Sequence, residues 1–150
     1  MRVVIQRVLS ASLWIEGNRY SEIEKGLLVL LGIGLDEQQE DLEYLVKKIS
    51  QLRIFSDEND QMNLSVMEIE GEILVVSQFT LFASTKKGNR PGFTAAANPT
   101  EATNWYVAFI KALEQATQKV IKTGVFGADM KIELINDGPV TIFIDSKHRE

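Results

Sequence analysis

Apolar residues recur at about every second position through "RVVIQRVLSASLWIEG". Val3 and Ile5 begin one face, while Gln6, Ser10, Ser12 and Glu16 fall on the other or near its ends. A period of two is the mark of a strand with one buried side. The spacing predicts two strands meeting near Leu9 to Ala11. "EGNR" at 16–19 supplies a hairpin turn, "YSEIEKG" a short strand and "GLLVLLGIG" a buried central one. Residues 1–34 therefore read as an antiparallel meander.

After Asp36 the period lengthens. In "EQQEDLEYLVKKISQLRIF" the residues Leu42, Leu45, Val46 and Ile49 share one face, with acids early and lysines late, as the helix dipole favours. "SDENDQMN" reads as a polar loop, and "GEILVVSQFTLFA" is the strongest strand of the chain. A second helix is predicted over "NPTEATNWYVAFIKALEQATQKV", capped by Asn98 or Thr100, with Glu101 in its first turn and a stripe through Trp105, Phe109, Leu113 and Ala116. "KTGVFGADMKIELINDGPVTIFIDS" closes the chain as two strands separated by "NDGP". The order of strands, helix, strands, helix and strands implies an α+β domain spanning 1–150. Its sheet would be mainly antiparallel, curled toward a barrel and flanked by two main helices.

Composition narrows the chemistry. A chain of 150 residues, 45% hydrophobic, fits one domain with an ordinary core. It has no cysteine, which removes disulfides and thiolate chemistry and makes a reducing cytoplasm the simplest home. The amino terminus alternates and carries Arg2 and Arg7, unlike a signal peptide. The most apolar run, Gly26 to Leu35, is far shorter than the roughly 20 residues that cross a bilayer, so no membrane partner is expected. A net charge of -5 argues against holding DNA or RNA by bulk electrostatics. The one local cluster of positive charge is "KKGNRP", containing Lys86, Lys87 and Arg90; it is a solvated loop or a local phosphate contact.

The only histidine, His148, lies two residues from the carboxy terminus, which disfavours a Ser-His-Asp site and a histidine-based metal site. "FSDENDQMN" lacks the glycine and closing glutamate of a calcium loop, so neither a metal nor a cofactor is expected. Two stretches place polar residues inside strong strands. In "VVSQFTLF", Ser77, Gln78 and Thr80 either face solvent by simple alternation or mark a strand end that aims amides and hydroxyls into a pocket, with Phe79 as a wall. In "NDGPVT", Asn136 to Thr141 form a tight turn or bulge, or else present the carbonyls of Gly138 and Pro139 to another molecule. An X-Pro bond admits either isomer, and both stay open here.

These motifs together, with "MRVVIQRV", "KGLLVLLGI", "LRIFSDENDQMNLS", "KKGNRPGF" and "FGADM", closely resemble the D-aminoacyl-tRNA deacylases over nearly the whole chain. The resemblance implies a homodimer with active sites at the dimer interface. It would hydrolyse the ester joining a D-amino acid, or glycine, to the 3'-terminal adenosine of tRNA. It also implies that Gly138 and Pro139 form a cis pair, inserted into the partner's site to exclude L-aminoacyl substrates. Ser77, Gln78 and Phe79 would form the opposite wall, with backbone donors near Phe79 and Thr80 stabilising an oxyanion while water attacks. Thr80 is a candidate nucleophile, but no histidine is near it in sequence to activate its hydroxyl.

Arg7, between apolar Ile5 and Val8, needs a partner if buried and would, on the family resemblance, lie near the Gly-Pro pair; otherwise it is a surface arginine. Asn136 joins the substrate-binding set beside that pair. Phe126 and Met130 either pack against the terminal adenine or belong to the core, and Lys86, Lys87 and Arg90 become candidates for acceptor-stem phosphates. Two rival readings use the same pocket: a non-catalytic module that binds a tRNA end or small ligand, and an esterase acting through Thr80.

Overall fold

The computed structural model describes residues 1–149. Its elements are β1 (Arg2–Ile15), β2 (Asn18–Ile23), β3 (Gly26–Gly32), α1 (Gln39–Gln51), β4 (Phe55–Ser56), β5 (Met62–Leu64), β6 (Glu72–Ser77), α2 (Pro99–Thr117), β7 (Lys122–Thr123) and β8 (Met130–Asp145), with a short 3-10 turn at Phe79–Phe82. The expected α+β architecture is present, and its sheet is mixed. β1 pairs antiparallel with β2, β3 and β8, whereas β3–β6 and β6–β7 run parallel. The sheet runs β2-β1-β3-β6-β7, with β8 on the other edge of β1. It curls until the hydroxyl of Ser21 on β2 donates to the Thr123 carbonyl on β7 at 2.9 Å, nearly closing a barrel.

Both faces of the central strands are buried, which explains the unbroken apolar run of β3. Leu27, Val29, Leu31, Ile73 and Val75 face the helices; Leu28, Leu74 and Val76 face the inside of the curl with Val8, Ala11 and Leu13. α1 contributes Leu42, Leu45, Val46 and Ile49 to the first of these cores, and α2 contributes Ala102, Tyr106, Phe109 and Leu113. Burying each such large side chain is worth about 1.5–3 kcal/mol. The α2 stripe ends at Thr117 rather than Ala116, because the helical repeat carries Leu113 onto position 117, whose hydroxyl bonds back to the Leu113 carbonyl at 2.8 Å. Asn98 is the cap, accepting from the Glu101 amide at 3.0 Å.

The long strands depart from the sequence expectation. Instead of two strands meeting at Leu9, β1 is one strand with a bulge there. Val8 pairs with Asn136 and Ser10 with Ile135, so Leu9 is the surplus residue. The bulge changes the parity of the strand: Val3 and Ile5 face the helices before it, and Ala11 and Leu13 face the curl after it. β8 is likewise continuous across "NDGP". Its register jumps from Thr141 opposite Gln6 to Asn136 opposite Val8, so residues 137–140 loop out around Arg7. Two further differences are smaller. α1 stops at Gln51, and the polar stretch after it forms the β4–β5 hairpin.

Candidate active site

β6 is apolar until Ser77, where it leaves the sheet. The Gln78 amide still donates to the Leu31 carbonyl at 2.7 Å, and the chain then winds into the 3-10 turn, so "FTLF" is not strand. Leu81 donates back to the Gln78 carbonyl at 3.2 Å and Ala83 to that of Thr80 at 3.0 Å. The amides of Phe79 and Thr80, which lead the turn, precede its first internal bond. The Gln78 side-chain amide donates to the Thr80 hydroxyl.

Beside this turn opens a pocket of about 610 Å3, lined by Ser77, Gln78 and Phe79 on one side and by Phe126 and Met130 on another. Phe79 is 57% exposed and meets Phe93 edge to face at 4.9 Å between centroids. Phe126 leans on Tyr106, whose hydroxyl donates to the Val75 carbonyl at 2.7 Å and fixes α2 against β6. Burial pushes the Tyr106 phenol up to about 12, so it remains a hydrogen-bond donor through the neutral range. Thr80 itself is exposed and is not among the residues lining the pocket.

Sequence reasoning missed Phe93, Asp129 and the small residues Ala96, Ala97 and Ala102 of this pocket. Alanine carries no chemical signature, and Phe93 becomes a wall only because the chain doubles back. Reciprocal bonds between Ser84 and Gly92, at 2.8 and 2.9 Å, close the excursion that carries Lys86, Lys87 and Arg90. All three are exposed, on a loop whose two ends lead to Phe79 and Phe93.

Gly138 and Pro139 are elsewhere. They are exposed, joined by a cis peptide bond, and do not line this chain's own pocket. The excursion is braced from beneath. Arg7, only 8% exposed, donates through Nε to the Asp137 carbonyl and pairs with its carboxylate, both at 3.1 Å, and through Nη1 to the Ile54 carbonyl at 2.6 Å. Asn136 spans the loop: its Oδ1 accepts from the Val140 amide at 2.9 Å and its Nδ2 donates to the Thr141 hydroxyl at 3.1 Å. Asn136 therefore holds the loop from within. Gly138 has φ +126, and a Cβ there would lie 2.7 Å from Val140 Cγ2 and 2.9 Å from Arg7 Nη2. Only glycine fits.

The family model described as D-Tyr-tRNA(Tyr) deacylase matches residues 4–145. The chain belongs to that deacylase family. A D-aminoacyl-tRNA deacylase of Flavobacterium johnsoniae is 58% identical over 150 residues, covering all of both chains. Among solved structures, one titled c-Myc DNA Unwinding Element Binding Protein superposes with a TM-score of 0.92 at 44% identity, covering 97% of this chain and 98% of that one. A probable eukaryotic D-amino acid tRNA deacylase shares the fold at a TM-score of 0.82 and 18% identity, over 95% and 97% of the two chains. Membership in the deacylase family makes this chain one of a family of hydrolases. Among the described residues, no helix is long and apolar enough to cross a membrane.

Proposed function

We propose that this chain hydrolyses D-aminoacyl-tRNA, and glycyl-tRNA, in a homodimer whose sites are each completed by the other protomer's Gly138 and Pro139. One observation carries the reading. The polar end of β6 borders a deep apolar pocket, while the rigidly braced Gly138-Pro139 projection is exposed and stands outside that pocket. A projection shaped by a buried arginine and an asparagine staple, standing outside the pocket of its own chain, suits a neighbour's pocket. The exposed apolar side chains Leu9, Ile135 and Phe143 on the β1–β8 ribbon support self-association there.

In the reaction, a water oxygen adds to the ester carbonyl carbon, and the amides of Phe79 and Thr80 stabilise the developing oxyanion. The carbonyl then re-forms, the bond to the ribose 3'-oxygen breaks, and that oxygen leaves with a proton. The neighbouring 2'-hydroxyl assists the proton transfer. Thr80 is a poor nucleophile, since the side chain bonded to its hydroxyl is the Gln78 amide, which cannot take a proton.

Phe126 and Met130 receive the adenine, and Lys86, Lys87 and Arg90 meet acceptor-stem phosphates. The carbonyls of Gly138 and Pro139 accept from the substrate's amino group. With amino group and ester both held, an L side chain would point into rigid backbone, whereas a D side chain points outward. Glycine has no side chain to exclude. The cysteine-free chain suits a cytoplasmic setting for such proofreading.

Single-turnover assays on D-Tyr-tRNA, L-Tyr-tRNA and glycyl-tRNA test the proposal. Rapid loss of the D and glycyl esters with the L ester spared is the expected result. Binding of the D substrate with no ester loss would instead favour a tRNA-end binding module.

A further inference from the structure

We propose that Arg2 is a positioning residue for the turn that carries Phe79 and Thr80, with Asp145 aiming it. The inference rests on the proposed reaction. Arg2 Nε donates to Asp145 Oδ2 at 2.8 Å, and Nη1 donates to the Leu81 carbonyl at 3.0 Å. Its guanidinium carbon lies 4.6 Å from the centroid of the Phe82 ring. One planar group thus holds the far end of the 3-10 turn by a carbonyl and by an aromatic face, while the carboxylate fixes its plane.

The other side of Phe82 is equally confined. A Cβ on Gly34 would lie 2.6 Å from Phe82 Cε1, and one on Gly32 would lie 3.1 Å from Leu81 Cβ. The ring is held between the glycine-lined end of β3 and the Arg2 guanidinium. Arg2 stands opposite Gly32 on one side and Asp145 on the other, so the clamp spans three neighbouring strands. Asp145 is itself buried and accepts from the Lys147 amide at 2.9 Å. The amides that would meet an oxyanion sit at the other end of this four-residue turn. A tilt of the turn would move them, and displacements near 1 Å at a reacting centre cost about 100-fold in rate.

The test uses Arg2→Lys, Arg2→Met and Asp145→Asn in the full chain, with D-Tyr-tRNA under single-turnover conditions. The saturating rate should fall on the order of 10- to 100-fold, while the half-saturating enzyme concentration changes less than about threefold, because adenine and phosphate contacts are untouched. Arg2→Lys should be nearly as slow as Arg2→Met, since an ammonium cannot bridge the carbonyl and carboxylate while stacking on Phe82. Amide hydrogen exchange at Leu81 and Ala83 should quicken in all three.

A merely structural role would lower the melting temperature yet leave rate and exchange as in wild type, and that result overturns the proposal. If Arg2→Met fails to fold, Arg2→Lys and Asp145→Asn decide by the same readings. If the wild type itself leaves D-Tyr-tRNA intact, the proposed function falls, and exchange alone decides the clamp: faster exchange supports it and unchanged exchange overturns it.

Discussion

Two strands of this protein are interrupted by polar residues, and the interruptions resolve in opposite ways. At the end of β6, "SQFT" leaves the sheet and turns along a pocket built from the same chain. In β8, "NDGPVT" stays in the strand, loops out around Arg7 and exposes Gly138 and Pro139 to the outside. The first motif is walled by apolar neighbours and the second is stapled by hydrogen bonds to Arg7 and Asn136. A concave, apolar lining is shaped to receive, and a convex, polar-braced loop is shaped to insert, as the proposed function requires. The difference in bracing separates the two roles where composition alone would call both of them turns.

The sharpest way to break this contrast is subunit mixing. Gly138→Ala, crowded at a positive φ, should lose at least about 100-fold in hydrolysis of D-Tyr-tRNA, and Ala128→Trp, filling the pocket, should do likewise. Co-refolded together, the two inactive variants should recover about a quarter of the wild-type rate if each pocket uses the partner's loop, because half the dimers then have one intact site. No recovery would mean that loop and pocket work within one chain, or not together at all.

Next in size, Phe126→Ala should raise the half-saturating concentration about 10-fold, from the ~1–3 kcal/mol that a base gains by stacking on an aromatic ring. Unaltered binding would return Phe126 to the core. On the projecting side, Arg7→Met should lower stability by about 2 kcal/mol, because it strips bonds from buried carbonyls, read as a shift in urea midpoint. Thr80→Ala should reduce the rate less than about tenfold, since its backbone amide survives the change; near-complete loss would restore Thr80 as the nucleophile.

The smallest effect concerns the scaffold away from both motifs. Burial works to raise the Asp41 carboxyl, but bonds from the Gln38 amide, Ser146 and Lys147, with the nearby amino terminus, outweigh it and hold it at about 2. A depressed folded-state value means that this carboxylate stabilises the fold above its ordinary value of 3.8 and ceases to do so as pH falls toward about 2. Asp41→Asn should therefore lose less stability than wild type between pH 4 and about pH 2, measured as urea midpoints.

Much of this arrangement was legible in the chain. The α1 face of Leu42, Leu45, Val46 and Ile49 follows from helical spacing, and the Asn98 cap from residue type. Ser77, Gln78, Phe79, Phe126 and Met130 do line one pocket. Strand direction was not legible: "GLLVLL" reports burial on both faces, which a parallel and an antiparallel partner satisfy alike. Nor were the bulges, because an extra residue in a ladder is defined by its partner strand, and the strand opposite Leu9 lies more than a hundred residues away. The parting of "SQFT" from "NDGPVT" was implied only by the family resemblance, since residue type and spacing could not give it. It depends on which surfaces the curled sheet leaves concave.

The bulge at Leu9 gives one position of a long, largely buried strand two kinds of tolerance at once. Its side chain is 49% exposed and makes no core, so most replacements there should fold. Its backbone is a surplus unit, which only sets which numbered positions of the strand face each core. Deleting the residue would close the bulge and leave Ala11 and Leu13 in the curl, because Ser10 would then follow Val8 in regular alternation; closing the bulge at unchanged length is what would turn them out and bring Ser10 and Ser12 in. Position 9 should thus be permissive both to chemistry and to the loss of one residue, which would cost the local bend and leave the two cores as they are.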